Sequence, residues 1–290
     1  MKNENYIIEV ENLTYFYPDK TPAIKNVSFN VRKGESIGLI GPNGAGKSTL
    51  FLLLMGFLKP QSGTIRIFNQ ELNKKSKKEI RKRIGMVFQD PNDQLFSPSL
   101  WEDVAFGPFN LGYNKEEIAK RVNKALNITD LERYTDKAPH HLSFGEKKRA
   151  ALATILSMDP EILLLDEPFS NLDPDSYIHL REIILKYKKA NLTLIIATHD
   201  VDVLPDLVDS CILMNNGQII RKGELHDILT NHTLLKTHKM RMPVLGQLFF
   251  NLKIHNIINT EMFPVTLTEA EKFIESLLKS KDNTRKMSNC

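Results

Sequence analysis

Gly41-Pro42-Asn43-Gly44-Ala45-Gly46-Lys47-Ser48 fits the spacing G-x-x-x-x-G-K-[ST] of a phosphate-binding loop, or P-loop. A short apolar run, Ser36 to Ile40, precedes it, and an apolar helix is predicted from about Lys47 to Phe57. Glycines let the backbone turn tightly, so that successive N–H groups point inward. Those donors and the N-terminus of the following helix together suit a triphosphate. Lys47 supplies a point charge to the terminal phosphates, Ser48 offers a hydroxyl to Mg2+, and Thr49 is grouped with them.

A second constellation follows more than a hundred residues later. Ile162-Leu163-Leu164-Leu165 reads as a buried strand that delivers Asp166 and Glu167 at its C-terminal edge. Ligands of open α/β sheets gather at that edge. Asp166 can hold a metal through water, and Glu167, in a dry closed site, can polarise an attacking water. His140-His141 is a candidate metal pair, but adjacent side chains are expected to point apart, which favours solvated surface.

These groups need a scaffold, and the pattern supplies one. Residues 6–11 and 24–31 alternate as half-buried strands; 64–68 and 84–88 are further strands. From about 90 to 155 helical spacing takes over, broken by Pro91, Pro98, Pro108 and Pro139. After the strand at 162–165 come an amphipathic helix (Ile178, Ile183, Ile184, Tyr187) and a buried strand at 193–197. Apolar strands alternating with helices indicate a parallel sheet covered on both faces. A hairpin pattern surrounds Asn216-Gly217. Past about residue 240, Thr268-x-x-Glu271 reads as a capping box for a helix with the stripe Ala270, Phe273, Ile274, Leu277 and Leu278, which would dock on the core or on a second copy.

Composition excludes several classes. With 41% hydrophobic and 26% charged residues the chain is neither largely disordered nor membrane-spanning. The longest strongly apolar run, Leu50 to Leu58, is far short of a bilayer span, and Met1 to Asn5 shows no signal peptide. Cys211 and Cys290 do not suggest a disulfide framework, which favours a reducing compartment. A net charge of +4 does not by itself suggest nucleic acid. Seven of the ten residues from Lys74 to Arg83 are basic, either a solvated segment between strands or a patch facing anionic lipid or an acidic partner.

Leu142-Ser143-Phe144-Gly145-Glu146 resembles the signature motif of ATP-binding cassette (ABC) proteins. The other motifs follow in the family's order: Gln89 as the Q-loop glutamine, Ser170-Asn171-Leu172-Asp173 as the D-loop, His199 as the switch histidine, and Tyr17 where the family places an aromatic ring against adenine. The resemblance covers roughly residues 6–235. It implies an α/β fold: a P-loop NTPase core with a parallel or mixed sheet at 1–89 and 156–235, an inserted helical signature subdomain at 90–155, and a small helical C-terminal extension at 236–290. It implies Mg2+ held by Ser48, Gln89 and Asp166, catalysis by Glu167 and His199, and nucleotide contacts from Tyr17, the P-loop, Gln89, Ser143, Gly145 and Asp173.

It also implies pairing. Two nucleotide-binding domains meet head to tail in the family, so Ser143 and the Gly145 amide of one chain reach the γ-phosphate bound by the other. ATP favours closure because it makes more contacts in the closed dimer. Two departures stand out: Phe144 replaces a glycine and should point away from phosphate, and Glu146 replaces glutamine.

Gln89-Asp90-Pro91-Asn92-Asp93-Gln94-Leu95-Phe96 looks like the extended Q-loop of energy-coupling-factor ATPases, and the segments Tyr17–Ile24 and Met242–Phe249 are also similar to that group. Its members drive uptake of vitamins and of cobalt or nickel ions, the last being closest in overall look. Such an ATPase would sit peripherally on the cytoplasmic face of the membrane, bound to integral membrane subunits and to a second ATP-binding subunit, identical or not, with no nucleic acid. A coupling helix would seat near Leu95, Phe96, Leu100 and Trp101, unless these fill the insert's own core. Two other readings stay open: an ABC-type ATPase acting on nucleic acid or ribosomes through the basic cluster, and an assembly ATPase.

Overall fold

The computed structural model describes residues 6–261 and 263–287. Met1 to Asn5 and Cys290 lie outside the described residues, and with them the readings that rest there. The chain opens with the antiparallel pair β1 (Tyr6–Phe16) and β2 (Pro22–Arg32). β1 runs five residues beyond the expected end at 11. Asn12, at φ 48, takes up the register shift between Val10 and Leu13, which returns Leu13 and Tyr15 to the buried face. β3 (Ser36–Ile40) leads into α1 (Lys47–Leu54), which stops short of Phe57. Gly56, at φ 63, and Phe57 fold their N–H groups back onto the carbonyls of Leu53 and Leu52, a helix-ending turn that apolar spacing does not reveal.

β4 (Ser62–Ile67) and β5 (Gln70–Glu71) complete a sheet of order β2-β1-β4-β5. The basic cluster carries the short α2 (Lys77–Arg81) between β5 and β6 (Ile84–Val87).

The insert supplies α3 (Leu100–Asn110), α4 (Lys115–Ile128) and α5 (Phe144–Leu156). Pro91 and Pro139 start 3-10 turns and Pro98 precedes the α3 cap, but Pro108 lies inside α3 rather than breaking it. A proline cannot bond the carbonyl four residues back. Here that carbonyl, of Val104, accepts the Ser157 hydroxyl at 2.8 Å instead.

β7 (Ile162–Asp166), α6 (Pro174–Lys189) and β8 (Thr193–Thr198) form the βαβ unit. α6 buries Leu180, Ile183 and Ile184, while Ile178, expected on the apolar stripe, is 51% exposed. β9 (Ser210–Asn215) and β10 (Gln218–Glu224) form the hairpin, with Asn216 and Gly217 both at positive φ as a two-residue turn requires. The second sheet runs β10-β9-β3-β8-β7-β6, parallel except for β10. The insert does not bury its apolar residues apart. Val104, Val122 and Ala150 share one cluster with Leu163, Leu165 and Leu194 of the sheet.

α7 (Leu225–Leu229), α8 (His232–Thr237), α9 (Val244–Ile254) and α10 (Leu267–Met287) end the chain. Phe249, Phe263, Val265 and Ala270 join the same cluster, so this segment docks on the core of its own chain. The capping box lies two residues before the expected one: Glu269 accepts the Val265 and Thr266 N–H groups, and Thr266 Oγ1 accepts the Glu269 N–H. That frame turns Ala270 and Phe273 inward, whereas Thr268 and Glu271 are exposed. Ile274 and Leu278 of the stripe face outward.

Candidate functional site

β3 ends where the P-loop begins, and its burial fixes the loop against the sheet. Gly46, at φ 102, is the residue at the helix cap; a Cβ there would lie 2.6 Å from the Ala23 carbonyl. Lys47 is 6% exposed. Its ammonium donates to the Gly41 carbonyl at 2.8 Å and the Pro42 carbonyl at 3.3 Å, and lies 3.8 Å from Glu167. Burial lowers its pKa, and the Glu167 and Asp166 carboxylates work against that shift.

Asp166 ends β7 at the same place. Burial raises its pKa, opposed by the Ser48 hydroxyl, and its Oδ1 is buried without a hydrogen-bond partner. A buried carboxylate oxygen left over beside a serine hydroxyl fits a hard cation. Mg2+ is held by one or two carboxylates plus substrate phosphates, so it requires no cage of three acidic or histidine side chains, and none occurs among the described residues. Tyr17 reaches the same loop: its hydroxyl lies 2.8 Å from the Thr49 hydroxyl.

Glu167 is held at φ 45, a conformation non-glycine residues seldom adopt. Its Oε1 accepts the His199 N–H at 3.0 Å and meets His199 Nδ1 at 2.8 Å, and its Oε2 accepts the Thr198 hydroxyl at 2.9 Å. Three groups at the end of β8 thus orient one carboxylate. The fold brings Lys47, Asp166, Glu167 and His199 together here.

Sequence reasoning missed Lys148. Within Lys147-Lys148-Arg149 it looks like part of a charged helix face, yet it is 1% exposed. Its ammonium donates to the carbonyls of Gln89 at 2.7 Å and Glu167 at 3.0 Å, and approaches Ser170 Oγ at 3.4 Å. One side chain therefore ties together the segment after β6 at Gln89, the residue that follows β7 and Ser170. Burial pushes its pKa down to about 8, against the pull of the Asp166, Glu167 and Asp90 carboxylates. The signal available in the sequence was position: Lys148 is followed by Ala150, Ala151 and Ala153 on a helix of small residues, which allows close packing. Gln94 was likewise missed. Its side chain accepts the Phe88 N–H and donates to the Ala151 carbonyl and the Thr154 hydroxyl, pinning the loop around Gln89 to α5.

Lys148→Met leaves those carbonyls without their donor. We expect a stability loss of about 1–3 kcal/mol, and a turnover rate that falls more than ATP affinity does. Urea melts with steady-state kinetics check both.

The signature residues form a second place. Ser143 caps α5: its Oγ accepts the Glu146 N–H at 3.3 Å, and Glu146 returns the bond by accepting the Ser143 N–H at 2.7 Å. Glu146 thus closes a capping box. Although burial opposes it, the Tyr134 hydroxyl and the Ser143 N–H hold its carboxyl below the usual range. Phe144 is 36% exposed, its ring 5.7 Å from the Lys148 ammonium. Gly145 packs against the N-terminus of α6, where a Cβ would meet Ser176 Oγ at 2.0 Å. Asp173 caps α6 by accepting the Ser176 N–H at 2.9 Å, which lowers its pKa. Among the described residues no hydrogen bond or ion pair joins Ser143, Gly145 or Asp173 to residues 41–49 or to the Glu167 carboxylate. His140 and His141 do not point apart; their rings meet with centroids 4.0 Å apart, the local 3-10 turn bringing them together.

Known proteins resemble the chain over most of its length. The ABC transporter family pattern matches residues 24–170. The chain is 44% identical, over 91% of its length and 96% of the relative's, to the energy-coupling factor transporter ATP-binding protein EcfA of Methanosphaera stadtmanae. It is 42% identical to the EcfA protein of Methanocaldococcus jannaschii, over 95% of this chain and 99% of that one. Among solved structures, cbiO1 of Clostridium perfringens, described as part of the ABC transporter complex cbiONQ, superposes with a TM-score of 0.72 at 40% identity, covering 85% of this chain and 99% of that one. The ATP-binding cassette MJ0796, solved as a dimer in a post-hydrolysis state with ADP and Pi, gives 0.69 at 29% identity over 75% of this chain and 98% of its own.

Proposed function

Since the chain belongs to the ATP-binding cassette family, as an ATP-binding and ATP-hydrolysing subunit of energy-coupling-factor type, we propose that two such chains, identical or not, close head to tail on ATP and thereby drive uptake of a solute through separate membrane subunits. The observation that carries this reading is the division of the phosphate-binding groups. The P-loop, Asp166 and Glu167 stand at one place. The N-terminus of α5 stands at another.

The second place suits an anion. Ser143 takes up the Glu146 N–H, while the Phe144 and Gly145 N–H groups in the first turn have no intrahelical acceptor. Because Ser143 Oγ acts only as an acceptor within its box, its proton is free to be donated. These donors would meet the γ-phosphate held by the other chain's P-loop. Lys47 would exchange the Gly41 and Pro42 carbonyls for the terminal phosphates, and Tyr17 would lie against adenine. Glu167, oriented by Thr198 and His199, would take a proton from the attacking water on a carboxylate oxygen, with His199 holding the carboxylate and water in line. Ser48, Asp166 and Gln89 would hold Mg2+, which when bound neutralises the charge developing on the phosphate oxygens.

A groove of about 580 Å³ between the core and the insert fits a coupling helix of a membrane subunit. Phe57, Phe88, Phe96 and Phe106 line it. The four residues singled out from sequence divide: Leu100 is fully buried, Leu95 and Trp101 pack on the core, and Phe96, 67% exposed, stands in the groove edge-on to Phe106. No helix among the described residues is long and apolar enough to cross a membrane. On the likeness to energy-coupling factor transporter ATP-binding proteins, the channel would come from other chains and this one would sit peripherally on the cytoplasmic face. For the solute we propose a cobalt or nickel ion or a vitamin, on the resemblance of the extended Q-loop to that group.

Affinity capture from detergent-solubilised membranes tests the transport reading. Integral membrane chains should co-purify; ribosomes or DNA in their place would overturn it. Ser143→Ala should leave ATP binding by the monomer intact and weaken ATP-dependent dimerisation by roughly tenfold or more, the worth of a hydrogen bond to a charged group. Sedimentation with and without ATP reads this, and unaltered dimerisation would count against sharing between chains.

A further inference from the structure

The basic cluster is divided in its use. Its arginines already have partners: the part-buried Arg81 donates to the Met55 and Gly56 carbonyls at 2.8 and 2.9 Å, and Arg83, at the surface, pairs with Glu161. Lys82 pairs with Glu79 at 2.9 Å. Lys74, Lys75, Lys77 and Lys78 form no ion pair among the described residues, and neither does Lys59, which comes from the turn after α1.

Four of these lysines, Lys59, Lys74, Lys75 and Lys77, rim a cleft of about 700 Å³ between the end of α1 and the β4–β5–α2 segment. The cleft wall is apolar, with Leu53, Leu58, Ile65 and Leu72, and it presents one carboxylate, Glu71. Phe57 is a wall of this cleft and also of the groove proposed for the coupling helix, so the two open side by side.

We propose that this lysine-rimmed cleft binds the headgroup of an anionic phospholipid of the bilayer. The inference rests on the docking reading, which would turn this side of the molecule toward the membrane. Charge complementarity selects the occupant. The ammonium groups are point charges on flexible stems, suited to phosphate oxygens that offer no fixed planar geometry. The apolar wall suits the glycerol and first methylenes of a lipid, which a soluble acidic peptide or a nucleic-acid backbone would not supply. Lysines near such a surface attract anionic lipid additively and lose that attraction in salt.

The purified subunit, without any membrane chain, is mixed with vesicles of phosphatidylcholine alone or of phosphatidylcholine with phosphatidylglycerol, and sedimented. The proposal expects binding only to the anionic vesicles and its loss at high salt. Lys74→Gln/Lys75→Gln/Lys77→Gln should weaken that binding at least about tenfold while melting temperature and ATP hydrolysis stay unchanged. Equal binding to both vesicles, undiminished binding by the triple variant, or binding to polyglutamate or DNA as tight as to the anionic vesicles would overturn it. The docking reading fails separately: the wild-type chain would then capture no membrane subunits, whatever the vesicles show.

Discussion

Glu167→Gln is expected to abolish nearly all turnover while leaving ATP binding intact. The rate should fall roughly 10²–10⁴-fold, the range for removing a positioned general base. The geometry gives the reason. One carboxylate oxygen is occupied by His199 and the other by the Thr198 hydroxyl, so the side chain is aimed and cannot swing to solvent. An amide in its place still accepts from the Thr198 hydroxyl or the His199 N–H, so orientation survives while basicity is lost. The Lys47 ammonium, 3.8 Å from the carboxylate, loses a partner but keeps its two carbonyls. The variant should therefore hold ATP and accumulate as an ATP-stabilised dimer. Single-turnover hydrolysis beside equilibrium ATP binding separates the effects, and hydrolysis near the wild-type rate would refute the assignment of the base.

Lys47→Ala acts on the earlier step. The ammonium is the cation built into the loop, and burial makes it costly to keep charged without a counter-charge. Glu167 and Asp166 supply part of that counter-charge, and a triphosphate would supply more. Removing the ammonium should weaken ATP binding roughly 10–100-fold, the worth of one hydrogen bond to a charged group. The fold should persist, since the loop's shape comes from its glycines and its attachment to β3 and α1. Calorimetric titration of ATP reads the effect, and undiminished affinity would remove Lys47 from the phosphate site. The two variants thus differ in kind, one losing rate at full occupancy and the other losing occupancy.

What the sequence made legible is what short-range chemistry dictates. The P-loop shows because glycines at fixed offsets and a lysine have no common structural substitute, and β7 shows because an apolar run ending in Asp166-Glu167, ambiguous alone, follows a P-loop in the same chain. The Asn216-Gly217 turn shows because only such residues sit easily at positive φ. The rest depends on partners distant in the chain. Lys148 is illegible as a bridge because its three acceptors lie 59, 19 and 22 residues away and two are main-chain carbonyls, which carry no residue identity. Pro108 reads as a breaker until Ser157 is seen to supply its missing hydrogen bond. The α10 cap reads as Thr268-x-x-Glu271 from spacing, and only the fold, with Ala270 packed against the core, shows it to be Thr266 and Glu269. Glu146 looked like a defect in a phosphate-binding motif; the capping box shows what it does for α5.

The central claim is that each chain lends half of every nucleotide pocket. A structure of the Glu167→Gln variant with ATP and Mg2+ tests it most directly. It should contain two chains, with the Ser143 hydroxyl of the partner subunit within hydrogen-bond reach of the γ-phosphate that Lys47 holds. A nucleotide fully enclosed by one chain, with every Ser143 remote from phosphate, would contradict it.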